Sequence, residues 1–342
     1  MSQNQAAWLT APKTKPFEVG PAPMPKPGPG QIVIKNHAVA VNPADWKNQD
    51  AGYFIKEYPT ILGIDAAGTI EEVGEGVTRF SKGQRVMAHF NQLKEQDPAQ
   101  GSFQLYAVAY ETYTSAIPDS MSFEEASVLP LAISTAASGL YLPKYLGISE
   151  LPSESPKPST NTVLIWGGAS SVGATAIQLA AASGLKVITT ASPANHDFVK
   201  AMGASVVLDY RSPSVVEDIV RELKDTPLAG IYDAISEDAS FSPILDIVTR
   251  LNTTVKVVGV LPYKTPTENF SPTFVFGYDI SHTPHEKFGE AVWGEFIPKA
   301  LASGQLQAKP HPLVVGHGLD AIQHGLDVQK AGVSAKKVVV TL

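Results

Sequence analysis

Short apolar segments rich in β-branched residues alternate with helix-forming segments in the middle of the chain. This pattern predicts strands at 163–166, 186–190, 205–208, 229–234 and 254–260, with one more at 274–276. Between them lie predicted helices at 174–182, 194–202, 215–223 and 242–250. Regular alternation of this kind predicts a parallel sheet with right-handed crossover helices, which is a doubly wound α/β fold.

The residues before this region follow another pattern, in which many short strands are separated by glycine turns. The predicted strands are 6–9, 17–19, 31–40, 69–73, 86–89 and 103–109. They favour a small β-barrel or sandwich domain. A proline-rich stretch at 21–30 is either a polyproline ligand or a stiff connector, and the strand directly after it favours the connector.

Helical spacing begins near Ser122, with predicted helices at 123–129 and 133–146. The Ser/Pro-rich segment 149–161 is predicted to be a loop, either a linker or an exposed insertion. The chain is predicted to end with a helix near 285–301, a strand near 313–315, a helix near 319–330 and a strand at 337–342. With 342 residues, and about 150 residues per domain, two domains are expected.

The first predicted strand of the α/β region runs into a glycine turn. Gly168-Ala169-Ser170-Ser171-Val172-Gly173 matches G-x-G-x-x-G, with Ser170 in place of the middle glycine. A strand, a glycine turn and a helix present backbone N–H groups and a positive helix terminus to a phosphate. The alternative is an ordinary turn of an α/β protein, and the surrounding alternation favours the dinucleotide site.

The end of the next predicted strand bears on the choice of dinucleotide. NAD-binding folds place an Asp or Glu there, about 20 residues past the glycines, on the ribose hydroxyls. Here the strand leads into Ala191-Ser192-Pro193-Ala194-Asn195, and the first acidic residue after Gly173 is Asp197. A carboxylate would repel a 2′-phosphate, so its absence favours NADPH. Ser192 and Asn195 offer hydrogen bonds to that phosphate, and helix capping is the alternative role for both.

Composition and charge narrow the function classes. The net charge of −7 argues against a nucleic-acid binder. The chain has no cysteine, which excludes disulfides, thiolate metal ligands and a cysteine nucleophile. No apolar run approaches the ~20 residues that span a bilayer, and no signal peptide is evident. We expect a soluble, cytoplasmic protein.

Several segments together resemble the medium-chain dehydrogenase/reductase superfamily. They are NPADWK (42–47), GIDAAG (63–68), GEGVTRFSKGQRV (74–86), WGGASSVG (166–173) and SAKKVVVTL (334–342). ITTASPAN (188–195) and LDYRSPSVVEDI (208–219) resemble fungal ToxD/CipB-type oxidoreductases, a group that includes the stand-alone enoyl reductases of polyketide synthases. The resemblance implies a GroES-like, β-rich catalytic domain at 1–122, completed by 283–342. It also implies a Rossmann domain with a doubly wound parallel sheet at 123–282.

Zinc members of this superfamily bind a catalytic metal through Cys residues and a His-Glu pair in a Gly-His-Glu turn. The corresponding turn here is Gly63-Ile64-Asp65, so isoleucine replaces the histidine. The resemblance therefore implies a zinc-independent reductase with no metal. His282 and His285 are better explained by a loop and a helix start than by a metal.

Three residues are candidates for catalysis by this resemblance. Lys47, in the turn where zinc members keep metal-site residues, would donate to a developing oxyanion or supply a proton. A solvated surface lysine is the equal alternative. Asn42 would hold the cofactor ribose or the substrate, or form the turn before Pro43. Asp65 would orient Lys47 or hold its own turn.

The resemblance also implies a set of residues around NADPH. Thr135 would lie near the nicotinamide, together with Gly259, Val260 and Leu261 and the segment from Phe274 to Phe276. Gly168, Ser170, Ser171 and Val172 would line the pyrophosphate, and Ser192, Asn195 and Tyr210 the 2′-phosphate. Lys337 would reach the cofactor from the C-terminal stretch. Core packing is the favoured alternative for Val172 and Phe274.

Three functions follow from the resemblance. The first is NADPH-dependent reduction of the C=C bond of α,β-unsaturated carbonyl compounds, either enones or enoyl thioesters. The second is quinone reduction, and the third is NADPH binding without catalysis. A polyketide synthase is a possible partner that no docking segment identifies. Both a monomer and a homodimer stay open, because the strand at 274–276 offers an edge for pairing across a two-fold axis.

Overall fold

The computed structural model describes residues 3–224, 226–252 and 254–342. In chain order its strands are β1 Asn4–Leu9, β2 Glu18–Ala22, β3 Gln31–Ala40, β4 Thr60–Ile61, β5 Asp65–Val73, β6 Arg85–His89, β7 Tyr106–Tyr110, β8 Thr114–Ala116, β9 Thr162–Trp166, β10 Lys186–Thr190, β11 Val206–Leu208, β12 Leu228–Asp233, β13 Val257–Gly259, β14 Thr273–Phe274, β15 His311–His317 and β16 Lys336–Thr341.

The α-helices are α1 Pro43–Ala51, α2 Gln92–Glu95, α3 Phe123–Ser127, α4 Pro130–Tyr141, α5 Ser171–Ala182, α6 His196–Ala201, α7 Val215–Leu223, α8 Asp238–Leu251, α9 Glu286–Gly289, α10 Ile297–Ser303 and α11 Ile322–Ala331. Short 3₁₀ helices occur at Pro98–Gln100, Glu111–Tyr113, Pro193–Asn195, Gly277–Ser281 and Leu319–Ala321. A π-helix spans Glu290–Phe296.

Compact packing divides the chain into two units. The first unit consists of the residues up to Leu131 together with Trp293–Gly304 and Ala308–Leu342. The second consists of Ala132–Val292 and Gln305–Gln307. The boundaries expected from the resemblance, after residues 122 and 282, lie earlier in the chain. In the part of the chain that the structure describes, no helix is both long and apolar enough to cross a membrane.

The second unit is built on a parallel sheet, as the alternating pattern predicts. Its described strands follow the order β11-β10-β9-β12-β13-β14, and every neighbouring pair is parallel. In order along the chain these are strands 3-2-1-4-5-6 of the unit, the order of a Rossmann fold. Apolar side chains of β9, β10 and β12 pack against α7 and α8, including Leu164, Ile188 and Ile231.

The first unit is rich in antiparallel sheet, as its short strands and glycine turns predict. A sheet of described strands runs β15-β16-β3-β5-β6-β8, with β7 also paired to β3. A smaller sheet has the order β2-β1-β4. The last strand, β16, pairs with β3, so the C-terminal stretch completes the sheet that begins near the N-terminus.

Two predicted elements differ in the structure. The helix expected at 285–301 is interrupted by the π-helix, which turns the large side chains of Trp293 and Phe296 into the interior. The strand expected at 274–276 is the shorter β14, since Val275 is already beyond it and donates its N–H to Gly259 O. The predicted bounds of the strand 31–40 agree with those of β3.

Candidate active site

Residues predicted to surround a dinucleotide come together at one edge of the parallel sheet. The carboxyl ends of parallel strands meet at the same edge, and ligands of open α/β sheets bind there. The segments after the strands of this sheet carry most of the predicted residues: Gly168 and Ser170 after β9, Ser192 and Asn195 after β10, Tyr210 after β11, Val260 and Leu261 after β13, and Phe276 after β14. Gly259 and Phe274 are the last residues of β13 and β14.

The glycine turn between β9 and α5 brings backbone close to backbone. A Cβ on Gly173 would lie 2.3 Å from Gly167 O, and one on Gly168 would lie 2.3 Å from Thr189 Oγ1. Gly167 itself has a φ of 81°, where a side chain is strained. Ser170 is the N-cap of α5 and accepts a hydrogen bond from Gly173 N at 3.0 Å. Ser171 and Val172 open the helix and are half-buried, so Val172 is not the core residue favoured by the sequence.

The segments after β10 and β11 lie side by side. Ala191 N donates to Leu208 O at 3.0 Å. Asn195 Nδ2 donates to Ser192 Oγ at 3.1 Å. Ser192 and Asn195 occupy the N-cap positions of the 3₁₀ helix Pro193–Asn195 and of α6, but neither side chain makes a capping hydrogen bond. The turn directly after β10 therefore contains polar side chains and no carboxylate.

Arg211, which no sequence motif predicted, also lies at this edge, directly after Tyr210. Its guanidinium lies 5.1 Å from the ring centroid of Tyr210, whose side chain is 41% exposed. Asp209 accepts a hydrogen bond from Arg211 N at 3.0 Å through its carboxylate. The basic residue directly after Tyr210 is the one feature of the sequence that could have predicted this position. Arg211 places a positive charge at the edge of the sheet where Ser192 and Asn195 also lie.

Two buried side chains fix the segments that follow β13 and β14. Ser236 Oγ accepts a hydrogen bond from Val260 N at 2.8 Å. The carboxylate of Asp233 in turn accepts a hydrogen bond from Ser236 N at 2.9 Å. Tyr145 accepts a hydrogen bond from Phe276 N at 3.0 Å and donates to Asp279 at 2.5 Å. Ser236 lies 24 residues from Val260, and Tyr145 lies 131 residues from Phe276, so no local sequence pattern predicts these two contacts.

Thr135 lies on α4 and is 7% exposed. Tyr232, on β12, is completely buried and donates to Thr135 O at 2.8 Å. Burial raises the pKa of Tyr232 well above its usual value, so the hydroxyl stays protonated and remains a donor. Thr135 is therefore held against the sheet by its own backbone carbonyl.

Asn42, Asp65 and Lys337 form a buried cluster in the first unit. Asn42 Nδ2 donates to Asp65 Oδ2 at 2.8 Å, and Lys337 Nζ lies 3.2 Å from the same oxygen. Lys337 also donates to Asn42 Oδ1. Leu131 N donates to Asp65 Oδ1 at 2.7 Å. Asp65 thus pairs with Lys337 and Asn42 in this cluster, and a role for it in orienting Lys47 stays a prediction.

Asp45 lies beside this cluster, in the first turn of α1. It accepts a hydrogen bond from Asn42 N at 2.7 Å, which closes the capping box of the helix. Its side chain is buried, and burial raises the pKa of its carboxyl to about 7. The Asp65 carboxylate also raises that pKa, whereas Lys337 and the N–H groups of Asn42 and Gly63 lower it.

Lys47 lies on α1 and is half-buried. Its ammonium is 5.4 Å from the ring centroid of Trp46, and Lys330 approaches the same ring at the same distance. The ammonium of Lys47 therefore lies close to an aromatic ring, at a distance that allows a cation–π interaction.

Comparison with known proteins agrees with this architecture. Residues 28–119 match the model of the alcohol dehydrogenase GroES-like domain, and residues 171–285 match that of the zinc-binding dehydrogenases. The trans-enoyl reductase himH of Aspergillus japonicus is 44% identical over 339 residues, covering 99% of this chain and 97% of that protein. The zinc-binding alcohol dehydrogenase domain-containing protein cipB of Emericella nidulans is 38% identical, covering 99% and 98%.

The residues present do not fit the zinc for which the second family is named. Zinc prefers thiolate, imidazole and carboxylate ligands. The chain has no cysteine, Ile64 precedes Asp65, and the Asp65 carboxylate is already bound by Lys337. Within the ranges that the structure describes, no group of three or more His, Asp or Glu side chains is arranged to hold a metal ion.

Solved structures share the fold along the whole chain. The CurK enoyl reductase has a TM-score of 0.75 at 21% identity, covering 99% of both chains. A mycobacterial protein solved in complex with NADPH has a TM-score of 0.70 at 24% identity, covering all of both chains. The glycine turn and the carboxyl edge of the sheet fit a nicotinamide dinucleotide. The chain belongs to the medium-chain dehydrogenase/reductase superfamily of nicotinamide-dependent oxidoreductases, in the group that contains the fungal trans-enoyl reductases and CipB-like proteins.

Proposed function

We propose that this protein is an NADPH-dependent enoyl reductase that reduces the C=C bond of α,β-unsaturated carbonyl compounds. The observation that carries the proposal is the cluster around Asp65. Where zinc relatives present metal ligands, this chain presents an isoleucine and a carboxylate neutralised by Lys337. Reduction of a conjugated alkene suits such a site, because the charge that develops on the carbonyl oxygen needs only hydrogen-bond donors.

The residues of the carboxyl edge would hold the cofactor, and each has a separate task. The backbone N–H groups at the start of α5, with Ser170 and Ser171, would bind the pyrophosphate. Thr135, Gly259 to Leu261, Phe274 and Phe276 would surround the nicotinamide. When bound, the cofactor supplies the hydride. The hydride would go to the β-carbon of the alkene, and Lys47 would either donate a hydrogen bond to the carbonyl oxygen of the resulting enolate or supply the proton that its α-carbon takes up.

The turn after β10 supports NADPH over NADH. Ser192 and Asn195 are the polar groups of that turn, and Tyr210 and Arg211 lie at the end of the neighbouring strand. A 2′-phosphate would gain hydrogen bonds from the first pair and a positive charge from Arg211.

The substrate class that we propose is an enoyl thioester or an enone. The himH relative, named a trans-enoyl reductase, supports an enoyl substrate. A polyketide synthase as the partner that delivers such a thioester stays a prediction. A cytoplasmic location stays a prediction as well.

The deciding experiment is NADPH oxidation by the purified protein, with a crotonyl thioester and an ortho-quinone compared at equal concentration. We expect faster turnover of the thioester. Turnover of the quinone alone would overturn the proposal in favour of a quinone reductase. NADPH binding without oxidation by either substrate would indicate a protein that only binds the cofactor.

A further inference from the structure

Ser236 lies in the turn after β12, and its backbone is left-handed. Its φ is 59°, a conformation that glycine adopts freely and that strains a residue with a side chain. Strain of this kind persists only where the surrounding structure enforces it, and such residues cluster at functional sites. The residue is 4% exposed, so its hydroxyl is also removed from water. The chain therefore carries a serine where glycine would be less strained, which makes the hydroxyl the feature to explain.

The hydroxyl of Ser236 acts as both donor and acceptor. Its Oγ donates to Asp233 O at 3.0 Å and accepts a hydrogen bond from Val260 N at 2.8 Å. A Cβ built on Gly259 would lie 2.6 Å from the same oxygen, so the hydroxyl fills the space directly beside this glycine. One hydroxyl thus contacts both the last residue of β13 and the residue that follows it.

The Asp233 carboxylate holds the strained backbone in place. Its Oδ1 accepts hydrogen bonds from Ile235 N at 3.0 Å and from Ser236 N at 2.9 Å. Its Oδ2 accepts a hydrogen bond from Ser240 Oγ at 2.6 Å, in the first turn of α8. Because this carboxylate is completely buried, water does not compete for these bonds. The turn therefore fixes the position of the Ser236 hydroxyl.

The same turn, residues 234–236, contacts the glycine turn between β9 and α5. A Cβ on Gly167 would lie 2.5 Å from Ile235 Cγ1. Ser170 Oγ lies 3.5 Å from Ala234 O. β9 and β12 are neighbours in the sheet, and the order of the strands reverses between them. Ligands of open α/β sheets bind in the crevice at such a point. Residues 234–236 therefore contact both the segment proposed for the pyrophosphate and the segment proposed for the nicotinamide.

We propose that Ser236 is a positioning residue, which holds Val260 and Leu261 in place for the nicotinamide ring of the bound cofactor. The inference rests on the proposed function, which puts the nicotinamide beside these two residues. Without the hydroxyl, Val260 N keeps only its longer hydrogen bond to Asp233 O, at 3.2 Å. The segment after β13 would then shift relative to the sheet, while the fold of the unit persists.

Two substitutions separate the role of the hydroxyl from that of the strained backbone. Ser236→Ala removes the hydroxyl and keeps the strain of a side chain, whereas Ser236→Gly removes both. The measurement is the ratio of two dissociation constants, the Kd of 2′-phospho-ADP-ribose divided by the Kd of NADPH, from calorimetry on the purified full chain. The fragment lacks only the nicotinamide group, so the ratio isolates the affinity that this group adds.

We expect the ratio to fall by about fivefold or more in both variants, which corresponds to the loss of about one hydrogen bond. The Kd of the fragment should stay at its wild-type value. Ser236→Gly should have the higher Tm of the two variants, because glycine removes the strain. The control is Ser183→Ala, at a serine that is 3% exposed and bonded to the Tyr141 hydroxyl at 2.9 Å. Ser183 lies at the other end of α5, so its loss should leave the ratio unchanged.

A wild-type ratio in either variant would overturn the proposal, and Ser236→Gly keeps the test decisive if the alanine variant does not fold. A ratio of one in the wild-type protein would overturn it as well, because the ring would then gain no affinity from this segment. Equal losses for NADPH and the fragment would give Ser236 a purely structural role. NADH and ADP-ribose provide the same ratio without the 2′-phosphate, and no enoyl substrate is present. Failure of the NADPH preference or of the enoyl reductase activity is therefore a separate result.

Discussion

The ammonium of Lys337 lies 3.2 Å from the carboxylate of Asp65, with side chains that are 5% and 0% exposed. The pair joins the last strand of the chain to the start of β5, and Asn42 links both residues to α1. Each charge has left water, so each depends on the other for compensation. The cluster is therefore a structural centre of the first unit as well as a candidate part of the active site.

Removing one charge of this pair should destabilise the protein strongly. For Asp65→Asn we expect the free energy of unfolding in urea to fall by about 3–5 kcal/mol, because Lys337 stays buried without a counter-charge. Asp65→Asn combined with Lys337→Met should recover part of the loss. Lys82→Met, which breaks the exposed pair of Lys82 with Glu71, is the control and should change little. An Asp65→Asn protein as stable as the wild type would contradict the pairing.

Asp45 should make stability depend on pH in the opposite sense to an ordinary paired carboxylate. Burial raises its pKa from 3.8 to about 7 in the folded chain, so the folded state holds the proton more tightly than the unfolded state. The stabilisation that protonated Asp45 gives the folded state is complete below the pKa of the carboxyl in the unfolded state. It is lost as the pH rises through the pKa of the carboxyl in the folded state. The asparagine of the Asp45→Asn protein cannot ionise, so this protein should not lose stability at that position as the pH rises.

The measurement for Asp45 is urea unfolding of both proteins at about pH 5 and about pH 8. The stability of Asp45→Asn relative to the wild type should rise between the two pH values. Comparing the two proteins cancels the contributions of carboxylates whose pKa is lowered, such as Asp50 beside Lys15. Parallel pH profiles would show that Asp45 titrates as an exposed carboxyl does.

The glycine turn should not tolerate a methyl group at Gly173. A Cβ there would lie 2.3 Å from Gly167 O and 2.9 Å from Gly168 Cα, so α5 would have to move away from β9. We expect Gly173→Ala to lower the Tm and to abolish the fluorescence change on nicotinamide nucleotide binding. Gly20→Ala is the matched control, because no heavy atom lies within 4 Å of its Cβ position. Unchanged nucleotide binding in Gly173→Ala would contradict a phosphate site at this turn.

What the sequence reveals of this protein depends on how local the signal is. The strand 31–40 and the parallel sheet of the second unit follow from the pattern of apolar segments, and the glycine turn follows from spacing over a few residues. The partnership of Asp65 with Lys337 joins residues far apart in the chain, so no window of sequence contains it. The burial of Asp45 is likewise a property of what packs around it. In the sequence, Asp45 stands out only as a member of the NPADWK segment that carries the family resemblance.

The same limit explains the interruption of the last long helix. Apolar residues between 285 and 301 fit a continuous α-helix, but the structure inserts the π-helix Glu290–Phe296. Trp293 is completely buried in this π-helix, so the packing of one large side chain outweighs the local spacing of apolar residues that favours a continuous α-helix.

Lys47 should matter for turnover and not for cofactor binding. Its ammonium rests on Trp46, and no carboxylate of the described cluster holds it. If Lys47 donates to the substrate oxygen or returns a proton, Lys47→Ala should lower kcat by about 100-fold or more, with the Kd for the nucleotide unchanged. Lys56→Ala, at an exposed lysine in the loop after α1, is the control. An unchanged rate would remove Lys47 from the mechanism.

Arg211 should determine the choice between NADPH and NADH. Its guanidinium stacks on Tyr210 at the edge that also holds Ser192 and Asn195, and a 2′-phosphate is the part of NADPH that NADH lacks. Losing one charge-assisted hydrogen bond costs about tenfold or more in affinity. We therefore expect Arg211→Ala to weaken binding of 2′,5′-ADP by at least about tenfold in calorimetry, whereas binding of 5′-AMP stays the same. Arg221→Ala, at an arginine of α7 paired with Asp218, is the control and should leave both affinities unchanged. Equal losses for both nucleotides in Arg211→Ala would mean that Arg211 supports the fold of the turn, and the 2′-phosphate would then depend on Ser192 and Asn195.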